Sequence, residues 1–162
     1  MDMNLKAFMK EELKHLGTME FPGIEKFKDK DGNPVPFVIQ RLSRKDIKEI
    51  RDLYHTAKVY RDKKNGDRPL VVNGQVSMVK EYDAERAGLQ IMVDAFVQPK
   101  LDDPELMQYY GVIDRLDMPE LLFSDREDFR YANECVMIAC GLMEKQEESE
   151  ILDDIKNWCL VR

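Results

Sequence analysis

The chain has 162 residues, 43% of them hydrophobic and 35% charged, a one-domain length able to bury a core. Its net charge of −7 argues against sequence-independent binding to nucleic acid or to an anionic lipid surface. No apolar run approaches the roughly 20 residues of a membrane span, and the charged start "MDMNLKAFMKEELKHLG" lacks the apolar stretch of a signal peptide.

Residues 4–16 place Leu5, Phe8, Met9, Leu13 and Leu16 at helical spacing, which predicts a short amphipathic helix ended by Gly17 and Phe21-Pro22-Gly23. This segment, residues 1–20, reads as an arm outside the main core. Ile24–Lys28 and Pro36–Arg41 are two short extended runs, with "DKDGNP" between them. Ser43 with Asp46 three residues on resembles a capping box with a shorter acid. Ile47, Ile50, Leu53, Tyr54, Ala57 and Tyr60 then predict one helix face to about Arg61.

"DKKNGDRP" reads as a linker, and "LVVNGQVSM" as a hairpin, because Asn73-Gly74 between β-formers favours a type I′ turn. Ala84, Ala87, Gly88, Ile91, Met92, Ala95 and Phe96 mark a helix stopped before Pro99. Leu89 and Val93 lie off that stripe, so this is expected to be the central buried helix. Asp103 as N-cap and Pro104 at N1 open "PELMQYYG". "MPELLF" makes about one turn, and Ser124 is the expected cap of a long helix through Phe129, Ala132, Cys135, Val136, Ala139 and Met143. After the acidic linker "EKQEESE" comes a last amphipathic helix with Ile151, Leu152, Ile155, Trp158 and Cys159. The expected fold is mainly α, a helical domain over residues 21–143 with one or two small β-hairpins in the N-terminal half. The linker and last helix occupy residues 144–162.

Charge is unevenly spread. Residues 41–68 carry ten Lys or Arg against five Asp or Glu, a net +5; residues 101–162 carry six against sixteen, a net −10. The two segments could be solvated faces of one monomer. They could also attract each other head to tail between copies, a heterologous contact that gives rings or filaments.

Chemical motifs are scarce. Asp29, Asp31 and Gly32 look like the start of a calcium loop. Counting from Asp29, however, Pro34 stands where the loop needs Gly and Gln40 where it needs a bidentate Glu. Asp and Gly are what a tight turn uses, so the stretch reads as scaffold. His15 and His55 sit in no nucleophile context, and Cys135 and Cys140 are not on one helix face. Three cysteines without a CxxC fit reduced thiols of a cytosolic protein. No phosphate-binding glycine motif is present, and Asp102-Asp103 beside Pro104 is better explained as an N-cap. No catalytic, cofactor-binding or metal-ligating residue is therefore expected. The short amphipathic ends must dock on something, because isolated helices this short are marginal in water. Either each packs on its own domain or one enters a partner's groove, with Trp158 as a natural anchor.

The order of motifs resembles the XkdN-like tail assembly chaperones of phages and phage-like prophages. "FKDKDGNPVPFVIQRLSRKDIKEIR" is similar to the family's opening hairpin running into a helix. "YDAERAGLQIMVDAFVQPKLDDPELMQYYGV" and "MPELLFSDREDFRYANECVMIACGL" resemble its second and third blocks, so the match spans roughly residues 21–142. "SDREDF" departs from the expected third block, and "LVVNGQVSM" reads as an insertion. The resemblance implies a non-enzymatic protein of the bacterial host cytoplasm, absent from the mature particle. It would bind the tape-measure protein and help recruit tail-tube subunits during tail morphogenesis. A generic interaction or structural module of a phage-like particle is the alternative, and a small enzyme with a site assembled only in three dimensions the remoter one. Candidate partner-binding residues are Leu5, Phe8 and Met9 in the arm and Ile155 and Trp158 in the last helix.

Overall fold

Ser43 does what its sequence context predicts: its Oγ accepts from Asp46 N at 3.1 Å, while Asp46 Oδ2 accepts from Ser43 N at 3.2 Å. The computed structural model, which describes residues 5–13, 15–143 and 150–156, places this box at the start of the first α-helix. In chain order the arm forms two short 3-10 turns, Leu5–Phe8 and Glu11–Leu13. Strands β1 (Thr18–Phe21) and β2 (Phe37–Gln40) precede α1 (Arg44–Leu53). Six short strands follow: β3 (His55–Val59), β4 (Arg61–Asp62), β5 (Arg68–Pro69), β6 (Val71–Val72), β7 (Gln75–Val76) and β8 (Met78–Tyr82). Then come α2 (Ala84–Ala95), β9 (Phe96–Gln98), α3 (Pro104–Tyr110), α4 (Met118–Leu122) and α5 (Arg126–Ala139). Residues 150–156 are helical.

The body is a three-stranded antiparallel sheet, order β1-β2-β9, backed by helices. Along β2, Phe37 and Ile39 are buried and Gln40 is exposed, the alternation of a one-sided strand. Phe37 makes edge contacts with Phe96 (ring centroids 5.4 Å apart) and Phe123 (5.6 Å), and lies tilted at 5.8 Å from Tyr131 of α5. Helix α2 runs through the middle, burying Leu89, Ile91, Met92, Val93 and Ala95. Helix α5 lays Ala132, Cys135, Val136 and Ala139 against the same core. Ile151, Leu152 and Ile155 bring the 150–156 helix onto it.

The expectation of a mainly helical domain is overturned. Of the described residues 47% are helical and 22% strand, in several small sheets, and the protein is an α+β fold. Three misread segments account for the difference. Helix α1 stops at Leu53 instead of continuing to Arg61, because residues 55–59 pair antiparallel with residues 78–82, from His55↔Tyr82 to Val59↔Met78. Thr56, Val59 and Tyr60 are β-formers, and the long-range ladder prevails over the apparent helical spacing. Phe96 leaves the helix as its C-cap and enters the sheet beside β2. The partner of β2 on its other edge is Thr18–Phe21 and not Ile24–Lys28.

The arm is not an α-helix either. No residue of Leu5–Phe8 is buried, so tertiary packing gives a short helix there no support. The cap of α5 is Asp125, which accepts from Glu127 N at 3.0 Å, in place of Ser124.

Other local readings hold. Asn73 (φ 53°) and Gly74 (φ 77°) both take the left-handed backbone of a type I′ turn between β6 and β7. Asp103 Oδ1 accepts from Glu105 N (2.9 Å) and Leu106 N (3.3 Å), with Pro104 at the first turn. "DKDGNP" is a turn: Asp29 Oδ1 accepts from Asp31 N and Asn33 N, and a bridge joins Lys28 to Pro34.

Candidate interaction surface

Residues 55–82 form a ribbon that leaves the body between α1 and α2. None of its residues belongs to the core cluster. Its stalk is the β3–β8 pair, on which Lys58 Nζ meets Glu81 Oε2 at 2.9 Å and His55 stacks on Tyr82 at 4.1 Å. Beyond the stalk the chain forks. Tyr60 N donates to Ser77 O (2.8 Å), Ser77 N to Leu70 O (2.8 Å) and Leu70 N to Tyr60 O (3.0 Å), a closed cycle of three main-chain bonds. One prong is the β4–β5 hairpin, the other the β6–β7 hairpin. Val59, Tyr60, Val71, Val72, Val76 and Met78 all remain exposed along it.

The base of the ribbon is held by a polar chain. The Tyr54 hydroxyl donates to Gln90 Oε1, and Gln90 Nε2 reaches Asp94 at 3.5 Å. Arg115 Nη1 donates to Asp94 Oδ1 at 2.8 Å and lies 3.8 Å from Asp102. The Asp94 hydrogen bond, against the opposing effect of burial, raises the Arg115 pKa further. Nearby, Arg86 Nη2 binds Asp114 Oδ2 at 3.1 Å; Leu116 N–H and that guanidinium lower the Asp114 pKa. Asp102 and Asp103 thus serve an ion pair and an N-cap. Among the described residues no group of three or more His, Cys, Asp or Glu is placed to hold a metal ion. Burial pushes the Cys135 thiol up to about 12 and raises Cys140 as well.

The five partner candidates fare differently. Leu5, Phe8 and Met9 are 50%, 76% and 65% exposed, an apolar row open to solvent. Ile155 is only 8% exposed and packs into the chain's own core. Trp158 lies outside the described residues. The structure brings none of the arm residues next to Ile155 in a shared core. Sequence reading found the β6–β7 hairpin but missed the stalk and the basic prong of the ribbon, and with them a second apolar spot, Ile113 at 96% exposure, just past the Gly111 cap of α3. For the ribbon a signal existed in the β-branched residues at 56, 59, 71, 72 and 76, flanked by two turn motifs.

The family model described as "Phage XkdN-like tail assembly chaperone protein, TAC" matches residues 5–156. The chain belongs to that family. The match is wider than the motifs of residues 21–142 and takes in the described arm and the 150–156 helix of this chaperone. "Uncharacterized protein YqbN" of Bacillus subtilis (strain 168) is 27% identical over 121 residues, covering 75% of the chaperone and 72% of the relative. The crystal structure of YqbN superposes with a TM-score of 0.57 at 20% identity, covering 76% of the chaperone and 83% of that chain. At that identity the superposition bears on the fold alone. Among the described residues no helix is long and apolar enough to cross a membrane.

Proposed function

We propose that this tail assembly chaperone binds the tape-measure protein through its exposed arm and helps recruit tail-tube subunits. It acts in the cytoplasm of the bacterial host, without catalysis, and leaves before the particle is finished. Family membership supplies the assembly role. The observation that supports a docking role is the arm itself. Three large apolar side chains, Leu5, Phe8 and Met9, stand in solvent at helical spacing on a segment with no buried residue. A long helical client offers the groove or seam such a row needs, and the arm would gain its helix on docking. Trp158 is the second anchor in this reading.

Co-expression of the full chain with the tape-measure protein of its phage, followed by affinity capture, tests the proposal. Co-purification that is lost in a Leu5→Asp, Phe8→Asp, Met9→Asp variant and weakened by Trp158→Ala is the expected result. Separate elution of the two wild-type proteins would overturn it. So would finding the chain as a stoichiometric component of purified particles, which is the outcome expected of a structural module.

A further inference from the structure

The ribbon poses a physical problem. A two-stranded hairpin standing alone is marginal in water, yet residues 55–82 put no side chain into their own core and keep a row of Val, Tyr and Met exposed. At about 3.3 Å per residue the five-residue stalk alone spans roughly 16 Å. Such an arm is suited to be covered by another molecule. Its charge says what kind. Residues 55–82 carry six Lys or Arg against three Asp or Glu. Arg61, Lys63, Lys64 and Arg68 cluster on the β4–β5 prong and form no ion pair among the described residues. The prong holds two acids against these four cations: Asp62 is occupied in capping Lys64 N and holding the Asn65 amide, and Asp67, whose main-chain oxygen accepts from Arg61, leaves the prong a net +2.

A surface that fits is present on the same chain, away from the ribbon. Between α5 and the 150–156 helix lies a groove of about 310 Å³. Ile24, Tyr131, Ile151 and Ile155 line it, and Glu127, Asp128, Glu134 and Asp154 stand around it with Arg130. Asp128 is paired with Lys26 at 3.5 Å and Glu134 with Arg130 at 3.8 Å. Glu127 and Asp154 are exposed and form no ion pair among the described residues. An apolar lining with carboxylates beside it suits a long cationic side chain, whose stem is hydrocarbon and whose head is charged. The volume admits a side chain or two and not a helix.

We infer that the basic β4–β5 prong of one copy docks at the acid-rimmed groove between α5 and the 150–156 helix of a second copy. The two surfaces differ, so the contact is heterologous, and repetition closes a ring or propagates a filament. This is independent of tape-measure capture, which uses the arm.

Charge reversal in two halves tests it. Sedimentation of the full chain at low salt should show association that collapses at about 1 M salt, where the Debye length is about 3 Å. A prong variant, Lys63→Glu, Lys64→Glu and Arg68→Glu, should sediment with the mass of one chain. A groove variant, Glu134→Lys and Asp154→Lys, should do the same. All five positions are outside the core, and unchanged thermal midpoints would show that both variants fold. Mixed together, the two should associate again, because each prong then meets a groove of opposite sign. A wild-type chain that stays monomeric at low salt overturns the inference. So does association indifferent to both reversals, which would place the contact elsewhere, or a mixture that fails to reassemble.

Discussion

Excising the fork should leave the body intact, and the size of the effect can be worked out beforehand. Tyr60 N donates to Ser77 O at 2.8 Å, so these residues are the hydrogen-bonded pair on which a two-residue type I′ loop closes. Replacing residues 61–76 by Asn-Gly therefore keeps the stalk register from His55↔Tyr82 to Val59↔Met78. Sixteen residues become two, about three halvings of loop length, each reducing the closure cost by about 0.6 kcal/mol. No core contact is lost, since none of the excised residues belongs to the core. Stability should thus change by between zero and about +2 kcal/mol, a rise in Tm of up to about 8 °C for a domain of this size. Urea denaturation followed by far-ultraviolet circular dichroism measures it, and the m-value should be nearly unchanged because little buried surface is removed. A loss of more than about 1 kcal/mol would refute the view that the ribbon contributes nothing to its own domain. The same variant should be monomeric at low salt.

The core and the thiols give further expectations. Phe37→Ala, which strips a 1%-exposed ring from between Phe96, Phe123 and Tyr131, should cost about 4–5 kcal/mol by denaturant titration, and Phe37→Leu much less. Gly23→Ala would set a Cβ at 1.9 Å from Val35 O, a main-chain clash that should destabilise by about 3 kcal/mol and show as a clear fall in Tm. Cys135 should resist iodoacetamide at pH 8.5 in the native protein and react only after unfolding, read out by peptide mass spectrometry. Its folded pKa of about 12 lies above the ordinary 9.0, so its contribution to stability is complete below 9 and is lost as pH rises toward 12. Cys135→Ala should flatten stability over that interval.

What could be read from the sequence was what is decided within a few residues. The Ser43–Asp46 box, the Asp103-Pro104 start, the Gly111 stop and the Asn73-Gly74 turn each depend on a side chain and backbone groups up to four positions away, and each forms as read. What escaped was decided by distant partners. Leu53, Tyr54, Ala57 and Tyr60 satisfy helical spacing, yet residues 55–59 are claimed by a strand 19 to 27 positions on. Phe96 continues the α2 stripe but pairs with β2, and Thr18–Phe21 lay hidden at the end of the arm. On the surface the same limit holds. Leu5, Phe8, Met9 and Ile155 look equivalent in sequence, and only the packing of α5 decides that Ile155 is buried while the arm residues are not.

Main-chain groups alone close the cycle of Tyr60, Leu70 and Ser77, so the side chains at its corners are free to vary and each prong can change length without disturbing the other. The fork is thus a natural port for added sequence. Between Asn73 and Gly74, on the prong away from the basic cluster, a spliced epitope would report where the chaperone sits while leaving the body, the arm and the proposed prong and groove contacts as they are.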